Sequence, residues 1–318
     1  MDKISKTKIR KIGENIKKNN ENADDIAILN TYRNTHILVT NTLINTIKDK
    51  TPKPLFIARR LKRLSSIRAK LQRFSAMGLD RMQDIGGVRA VFGDMQKTKN
   101  YAQKIIELYD NNKRALKIIK IDDYITNPKP DGYRSFHIVF EYAKGKDALK
   151  GYRIEFQIRS LPQHYWATAV EIFSLISESN LKLGQGEREH KRFFYLASKI
   201  LHNEASDEEI KELIGLDKTH QILSLLGGVN LALSAINTKE KNLYCVIWLD
   251  FKQGVVSYTT FHKNNLEEAS LFYEMMEQNS DINAVLVDIE SIRKLKKAYP
   301  NYFGDANHFI QSLKQYIK

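Results

Sequence analysis

The chain has 318 residues, 42% of them hydrophobic, which suits one large domain with a smaller one, or two domains of moderate size. It has no run of about 18 apolar residues, no apolar N-terminal signal core and a single cysteine, Cys245. This argues against a membrane span, secretion, an internal disulfide or a cysteine-rich zinc site, and predicts a cytoplasmic protein. The formal net charge of +14 favours polyanionic partners such as nucleotides or nucleic acid, although a lysine-rich genome would give the same excess.

The first 50 residues predict helices. The lysine-rich stretch 3–18 has isoleucines at helical spacing, which predicts an amphipathic helix with a basic face. A second helix, rich in apolar residues, is predicted over 26–47. A basic helix is predicted over 59–74, because residues 51–79 contain eight Lys or Arg and no acid.

Alternating and helical periods predict the remaining elements. Strands are expected at 88–92, 116–121, 135–140, 153–159, 244–249, 255–261 and 284–289, and helices at 98–109, 165–177, 187–203, 208–214, 220–236, 266–278 and 292–297. This order predicts an α+β (mixed α/β) fold, a mixed sheet flanked by helices with a second small α/β domain at the C-terminus. The predicted divisions are N-terminal helices over 1–50, a central domain over 51–180, a helical connector over 181–240 and a C-terminal domain over 241–318.

The strand predicted over 153–159 has two contrasting faces. Side chains alternate along a strand. One face therefore carries Ile154, Phe156 and Ile158, and the other carries Arg153, Glu155, Gln157 and Arg159. A carboxylate flanked by arginines and an amide is typical of the floor of a site. Together with Tyr133 in the preceding turn and His137 on the neighbouring strand, it predicts a phosphate-handling pocket with a metal-binding carboxylate and an exposed aromatic ring.

Charged residues suggest how such a pocket would work. Arg63, Ser66 and Lys70 share one face of the predicted basic helix, and cations without acidic partners favour bound phosphates, the alternative being a solvated basic face. Asp84 and Glu155 are the carboxylates that we would pair as Mg²⁺ ligands, since magnesium is commonly held by one or two carboxylates plus substrate phosphates. Each acid could instead be an ordinary strand-end or surface residue.

Four motifs follow one another in a specific order. They are Arg60-x-Lys62-x-x-x-Ser66-x-x-x-Lys70, then Asp84-Ile85-x-Gly87-x-Arg89, then Asp123-Tyr124-Ile125-x-x-Pro128-Lys129-x-x-Gly132-Tyr133-x-Ser135-x-His137, then Glu155-x-Gln157-Ile158-Arg159. Over about residues 50–175 this set resembles the RelA/SpoT-type alarmone synthetase domain. The long enzymes of that family also carry a His-Asp hydrolase domain, and no His-Asp dipeptide occurs here, so the resemblance implies synthesis without hydrolysis. Asp131 stands where many family members have Asn, which leaves the acceptor open.

The resemblance implies a pyrophosphokinase that moves the β,γ-diphosphate of ATP onto a ribose hydroxyl with Mg²⁺ as cofactor. The roles it implies are adenine binding by Arg60 and Arg89, ATP-phosphate binding by Lys62, Ser66 and Lys70, Mg²⁺ binding by Asp84 and Glu155, and acceptor binding by Lys129, Tyr133, His137, Gln157 and Arg159. Asp84, Glu155 and Lys70 would be catalytic, with Glu155 helping to deprotonate the attacking hydroxyl and Tyr133 stacking on the acceptor base.

The tail carries a Tyr-x-x-Tyr segment, Tyr299 to Tyr302. It is similar to the fused toxin–antitoxin branch of the family, the CapRel-like proteins. That similarity implies an autoinhibitory segment that blocks the adenine site, a C-terminal domain that senses a phage protein, and a toxin that pyrophosphorylates the 3′ CCA end of tRNA. Two tyrosines capping a core helix are the alternative for the segment.

Three hypotheses therefore stand side by side. The first is a tRNA pyrophosphokinase held inactive by its own C-terminal domain. The second is a synthetase of ppGpp or pppGpp from GDP or GTP. The third is an inactive RNA-binding module that kept the fold. The partners expected are ATP with tRNA, or with GDP or GTP, and neither DNA nor a membrane.

Overall fold

The computed structural model of the chain describes residues 4–110, 113–177, 181, 186–228, 232–233, 241–250, 255–279, 282–291, 295, 298–303 and 305–317. Its helices are α1 (Lys6–Lys17), α2 (Ala23–Ile47), α3 (Leu64–Arg73), α4 (Met95–Asp110), α5 (Leu161–Ile176), α6 (Arg188–Ile200), α7 (Asp207–His220), α8 (Ile222–Gly227), α9 (Leu266–Glu277) and α10 (Asn307–Lys314). Its strands are β1 (Phe56–Leu61), β2 (Gly86–Phe92), β3 (Leu116–Asp123), β4 (Phe136–Tyr142), β5 (Arg153–Ser160), β6 (Ala232–Leu233), β7 (Lys241–Asp250), β8 (Val255–His262) and β9 (Ile282–Ser291). The predicted mixed α+β fold is confirmed.

The described strands form one mixed sheet in the order β3-β4-β5-β2-β1-β9-β7-β8-β6. β2 and β5 run parallel, whereas β1 pairs with β2 in antiparallel fashion. The C-terminal strands join this sheet where Arg60 of β1 pairs with Val287 of β9. The sheet is thus continuous between the central residues and the C-terminal ones, and the division of the chain into four domains stays a prediction.

Side-chain alternation along β5 is confirmed. Ile154, Phe156 and Ile158 are fully buried in the core that lies between the sheet and the N-terminal helices. The isoleucines of α1 are buried in the same core, so this helix is amphipathic as predicted. Burial of each such side chain stabilises the fold by roughly 2 kcal/mol, and it leaves the opposite face of β5 available for polar residues.

The prediction of a helix over 59–74 is wrong for its first residues. Arg59, Arg60 and Leu61 belong to β1, where they pair with Val88, Gly87 and Gly86 of β2. α3 begins only at Leu64, after a break at Arg63, whose backbone is extended. Arginine, lysine and leucine favour a helix in isolation. Pairing with β2 outweighs this helix preference, because strand formation depends on the neighbouring strands.

Some C-terminal predictions fall on residues that are not described. Most of the helix expected at 292–297 lies outside the described residues. The prediction of one helix over 220–236 is wrong in its second part, because α8 ends at Gly227 and Ala232–Leu233 form the strand β6, which pairs with β8. The strands and the helix α9 between them match their predicted positions within a few residues. Within the described ranges, no helix has the length and apolar character needed to cross a bilayer.

His36, on α2, makes the stability of the fold sensitive to acid. Its Nδ1 lies 2.8 Å from the carbonyl oxygen of Tyr32, and its buried Nε2 has no hydrogen-bond partner among the described residues. Burial, together with the nearby Arg33 guanidinium, lowers the pKa of His36 from 6.5 to about 4, although hydrogen bonds to the backbone partly oppose this shift. Between these two values the unfolded chain binds more protons than the folded one, so folding stability falls as the pH is lowered.

We expect the free energy of unfolding to fall by up to about 3 kcal/mol between pH 6.5 and 4 through His36 alone. Urea titrations at several pH values measure this loss. A His36→Gln variant, less stable at pH 7, should show a flatter pH dependence over the same range. An equal slope in the two proteins would assign the acid sensitivity to other groups.

A buried ion pair joins the N-terminal helices to the C-terminal part of the chain. Arg33 of α2 lies 2.8 Å from Glu277 of α9, and their side chains are 2% and 9% exposed. Glu277 also accepts hydrogen bonds from the backbone nitrogen of Leu64, at the start of α3, and from the hydroxyl of Tyr273. One carboxylate thus holds three elements together.

Glu277→Gln should lower the free energy of unfolding by about 3 kcal/mol, because Arg33 would remain buried without a counter-charge. Glu274→Gln is the matched control, since Glu274 lies on the same helix and is only half-buried, with its hydrogen bond going to Asn34. Denaturant titration of both variants at pH 7 measures the difference. Equal stability of the two variants would contradict this assignment.

Candidate active site

An open cavity of about 80 Å³ lies where β1, β2 and β5 run side by side. The cavity is lined by Ala58, Arg59, Arg60, Lys62, Asp84, Gly87, Val88, Arg89, Glu155, Gln157 and Tyr299. It therefore gathers predicted site residues from the three strands and from the tail of the chain.

Strand register explains why these side chains meet. In the parallel ladder of β2 and β5, Gly87 lies opposite Glu155 and Arg89 opposite Gln157. Because alternate residues share a face, all of these positions face the cavity. A Cβ added at Gly87 would find only the carbonyl oxygen of Arg60, 3.9 Å away. The absence of a side chain at Gly87 leaves this part of the cavity open.

Asp84 precedes β2 and is held by two lysines. Its Oδ1 lies 2.9 Å from Lys70 Nζ of α3, and its Oδ2 lies 2.9 Å from Lys62 Nζ. Burial alone would raise the pKa of Asp84, but the two ammonium groups lower it below its usual range. Asp84 is therefore ionised at neutral pH, with two cations beside it that could move to bind a phosphate.

Glu155 belongs to a closed ring of five polar side chains. His137 Nδ1 lies 2.9 Å from Glu155 Oε1, and Gln157 donates to Glu155 Oε2 at 2.6 Å. Arg159 donates to Gln157 Oε1 at 2.8 Å and to the Tyr133 hydroxyl at 2.6 Å, and that hydroxyl lies 2.7 Å from His137 Nε2. This network fixes Glu155 at the edge of the cavity and links it to the predicted acceptor residues.

The ring shifts the protonation equilibria of its members. Burial would raise the pKa of Glu155, but the hydrogen bond and positive charge of His137 and the amide of Gln157 lower it well below the usual range. Burial would likewise raise the pKa of Tyr133, but Arg159 and His137 lower it to about 7. The ring thus keeps Glu155 ionised and able to accept a hydrogen bond, a proton or a metal ion.

The prediction that Tyr133 presents an exposed ring is wrong. The ring is half-buried and lies edge-on to Trp166 of α5 and to Tyr124. Lys129 Nζ lies 4.5 Å from the centre of the Tyr124 ring and 5.1 Å from that of Tyr133. Cations and aromatic rings thus already contact the Tyr133 ring, and no local sequence pattern indicated the helices that cover this turn.

Helix α6 supports the turn that carries Tyr133. Gly132 has φ +88°, and a Cβ there would lie 3.1 Å from Tyr195 Cα and 3.0 Å from Ser198 Cβ. The Ser198 hydroxyl donates to the Gly132 carbonyl at 2.5 Å. Sequence reasoning missed this contact, because a glycine after a Pro-Asp pair suggests a turn without revealing what packs on it.

Two arginines frame the part of the cavity that Tyr299 enters. Burial, with Arg159 and Arg60 nearby, lowers the pKa of Arg89 to about 10, and Arg89 Nε is buried with no hydrogen-bond partner among the described residues. Tyr299 is 4% exposed, and its hydroxyl donates to the Arg59 carbonyl at 2.6 Å. Two arginines beside an aromatic side chain, with the Nε of Arg89 unpaired among the described residues, are suited to bind a planar or anionic ligand.

Glu171 of α5 was missed by the sequence analysis. Its negative charge is the largest influence that raises the pKa of buried Arg60 against the effect of burial, and it acts on Arg89 as well. An acid on an otherwise apolar helix face was the one available signal. Glu171 thus offsets part of the positive charge between the two arginines.

The remaining predicted residues lie around the cavity rather than in its lining. Ser66 is on α3, one turn from Lys70. Tyr302 is buried, and its hydroxyl lies 3.2 Å from Asn283 Oδ1 of β9. The two tyrosines of the tail are buried in the same core, and of the two only Tyr299 also lines the cavity.

The donor set suits a magnesium ion. Asp84 and Glu155 line the same cavity, and the negative charge of Glu155 acts on Asp84. Mg²⁺ binds carboxylate oxygens and completes its shell with water and substrate phosphates, and the cations nearby are mobile lysine side chains that a phosphate could draw away. The pairing of Asp84 with Glu155 stays a prediction as regards the metal itself.

Residues 59–172 match the family model described as the region found in RelA/SpoT proteins. The matched residues include most of the strands and helices that form the cavity.

Two curated relatives are GTP pyrophosphokinases of Bacillus subtilis (strain 168). YwaC is 31% identical over 90 residues, which cover 28% of this chain and 40% of YwaC. YjbM is 33% identical over 121 residues, which cover 36% of this chain and 53% of YjbM. The chain thus spans about half or less of the length of these relatives. The crystal structure of small alarmone synthetase 2 from Bacillus subtilis aligns with 61% of this chain and 99% of its own, at 22% identity and a TM-score of 0.45.

Proposed function

We propose that the protein is an ATP-dependent pyrophosphokinase. The observation that carries this proposal is a cavity lined by two carboxylates, a lysine and two arginines, with a second lysine, Lys70, paired to one of the carboxylates. The lining residues are Asp84, Glu155, Lys62, Arg60 and Arg89. Transfer of a phosphoryl-type group needs mainly positioning and charge neutralisation, and these residues supply both.

Each group has a distinct part in the proposed reaction. Arg60 and Arg89 would hold the adenine, while Lys62, Ser66 and Lys70 would bind the phosphates. Asp84 and Glu155 would hold Mg²⁺, which neutralises phosphate charge when bound.

In the transfer itself, the acceptor hydroxyl oxygen would form a bond to the β-phosphorus of ATP. The bond from that phosphorus to the oxygen bridging the α- and β-phosphates would break, and AMP would leave. The hydroxyl proton would pass to Glu155, which the ring of His137 and Gln157 keeps ionised.

The proposed acceptor is the 3′ CCA end of tRNA, and the C-terminal residues would act as a built-in inhibitor. Support for a tRNA acceptor comes from the net charge of +14. Support for inhibition comes from Tyr299, which lines the cavity near Arg60 and Arg89, where ATP would bind. A phage protein that binds the C-terminal part and withdraws this segment would be the trigger.

Further contacts favour a regulatory role for the C-terminal part. Arg59 pairs with Asp288 of β9, Arg63 donates to Asn283, and Glu277 caps α3 through Leu64. Each contact ties a residue next to the cavity to the C-terminal part. A change in that part would therefore reach the proposed ATP-binding residues directly.

Synthesis of ppGpp or pppGpp from GDP or GTP is the second candidate. It is favoured by the names of the two curated relatives, both GTP pyrophosphokinases. Under this reading the residues around Tyr133 would bind a guanosine nucleotide, and Tyr299 would serve core packing.

Label transfer from γ-labelled ATP separates the candidates. The protein is offered GDP, GTP and total tRNA in parallel, with and without Mg²⁺. Label on tRNA supports the first candidate, and label on GDP or GTP supports the second. Absence of transfer to every acceptor, from both the intact chain and a Tyr299→Ala variant, would contradict the pyrophosphokinase proposal and favour an inactive RNA-binding module.

A further inference from the structure

Two histidines and a glutamate meet where α6 begins and α7 ends. Glu187 precedes α6, His190 lies in its first turn, and His220 is the last residue of α7. One ligand atom of each lies within 4.8 Å of those of the other two, and His190 Nε2 is 3.5 Å from Glu187 Oε2. The two imidazole rings are in edge-to-face contact, with centroids 5.4 Å apart.

The arrangement has a rigid part and an adjustable part. His190 packs edge-on against Phe173 of α5, with ring centroids 4.8 Å apart, so its ring is held in place. The Glu187 side chain is 65% exposed and can rotate. Ligands about 2.1 Å from a tetrahedral zinc ion lie roughly 3.4 Å from one another, so a small rotation of Glu187 and His220 would close the set.

We propose that Glu187, His190 and His220 bind a zinc ion. Two imidazoles and one carboxylate form a three-residue set that zinc accepts, with a water as fourth ligand, whereas Mg²⁺ favours oxygen ligands alone. Within the described residues this is the one group of three such side chains that lies close enough to share an ion. The proposal is independent of the proposed pyrophosphokinase activity.

A zinc ion here would fix α6 against the end of α7. The same two helices are joined further along by ion pairs from Arg192 to Glu212 and from Lys199 to Glu209. α6 also carries Ser198, which bonds the Gly132 turn beside Tyr133. Zinc would therefore order the helix that supports this turn.

Calorimetric titration of the full chain with zinc chloride tests the proposal. Excess Mg²⁺ is present throughout, so that Asp84 and Glu155 do not compete for zinc. We expect one zinc ion per chain. We expect the His220→Gln and Glu187→Gln variants to bind zinc at least about tenfold more weakly than the wild type. Loss of a residue that only supports a metal ligand already lowers metal affinity roughly tenfold, and these variants lose a ligand itself. His262→Gln is the matched control, because His262 is an exposed histidine on β8.

Weaker zinc binding must be distinguished from misfolding of a variant. Glu187 is exposed, so its replacement leaves the packing of α6 intact, and circular dichroism of each variant verifies the fold. Cobalt(II) as a probe adds a spectroscopic readout, because tetrahedral coordination by imidazole gives strong visible absorption that His190→Gln should abolish. No zinc binding by the wild-type chain, or equal affinity in wild type, His220→Gln and Glu187→Gln, would overturn the proposal.

Discussion

Glu155→Gln should reduce the rate of label transfer from γ-labelled ATP by at least about 10²-fold, whichever acceptor is used. The substitution removes the proposed proton acceptor and one of the two proposed magnesium ligands, while it preserves the size of the side chain. Its neighbours His137 and Gln157 would lose a charged partner for their hydrogen bonds. Single-turnover transfer at saturating ATP and Mg²⁺ measures the effect on the chemical step.

Glu141→Gln is the control for this experiment. Glu141 lies on the adjacent strand β4 and pairs with Lys117 and Arg153, at the end of the ladder away from Tyr133. It should transfer label at the wild-type rate. If Glu155→Gln were folded and kept activity within about twofold of wild type, the proposed role of Glu155 would be wrong.

Tyr299→Ala should increase transfer by roughly tenfold relative to the intact chain, a typical size for coupling between a regulatory contact and a ligand site. The tyrosine side chain lines the cavity near Arg60 and Arg89, and its removal would enlarge the cavity on that side for ATP. The effect should be largest at low ATP concentration, because the segment and ATP would compete for one place. Initial rates over a range of ATP concentrations measure it.

Two variants serve as controls for Tyr299→Ala. Tyr299→Phe keeps the ring in the cavity and loses only the hydrogen bond to the Arg59 carbonyl, so it should stay close to wild type. Tyr258→Ala removes a tyrosine from β8 that does not line the cavity. If a folded Tyr299→Ala protein transferred label at the wild-type rate, Tyr299 would have a packing role and no inhibitory one.

A point variant tests inhibition better than removal of the tail. Phe309 and Leu313 of α10 are buried in the same core as α5, α6 and α8. A chain ending before Tyr299 would lose these side chains and expose that core. A lack of transfer activity in the truncated chain would then reflect unfolding and would not test inhibition, because deleting large buried side chains costs several kcal/mol.

Much of the site was predictable because strand geometry is simple. The alternation along 153–159 placed Glu155 and Gln157 on one face and the isoleucines on the other, and both faces are confirmed. Asp84 and Glu155 were expected to meet, and the parallel pairing of β2 with β5 brings them to the same cavity. Local periodicity was sufficient for the two faces of β5, whereas the meeting of Asp84 with Glu155 depended on the pairing of two strands distant in the chain.

Other features depended on partners distant in the chain. Arg59 to Leu61 form a strand only because β2 and β9 lie on either side of β1, and the local composition favoured a helix. Tyr133 is half-buried because α5 and α6 cover its turn. A sequence window records none of these neighbours, so propensity alone gave the wrong answer at both places.

The amino-acid sequence by itself determined most of the helices and strands, the apolar face of β5 and the identity of the residues that could bind phosphate and metal. These follow from side-chain chemistry and from periods of two and 3.6 residues. The tertiary structure alone decided that Tyr299 enters the cavity beside Arg60 and Arg89, that Glu277 neutralises Arg33, and that α6 closes over Gly132. The physical reason is that burial and ion pairing are set by groups brought together from remote parts of the chain, which no local pattern encodes.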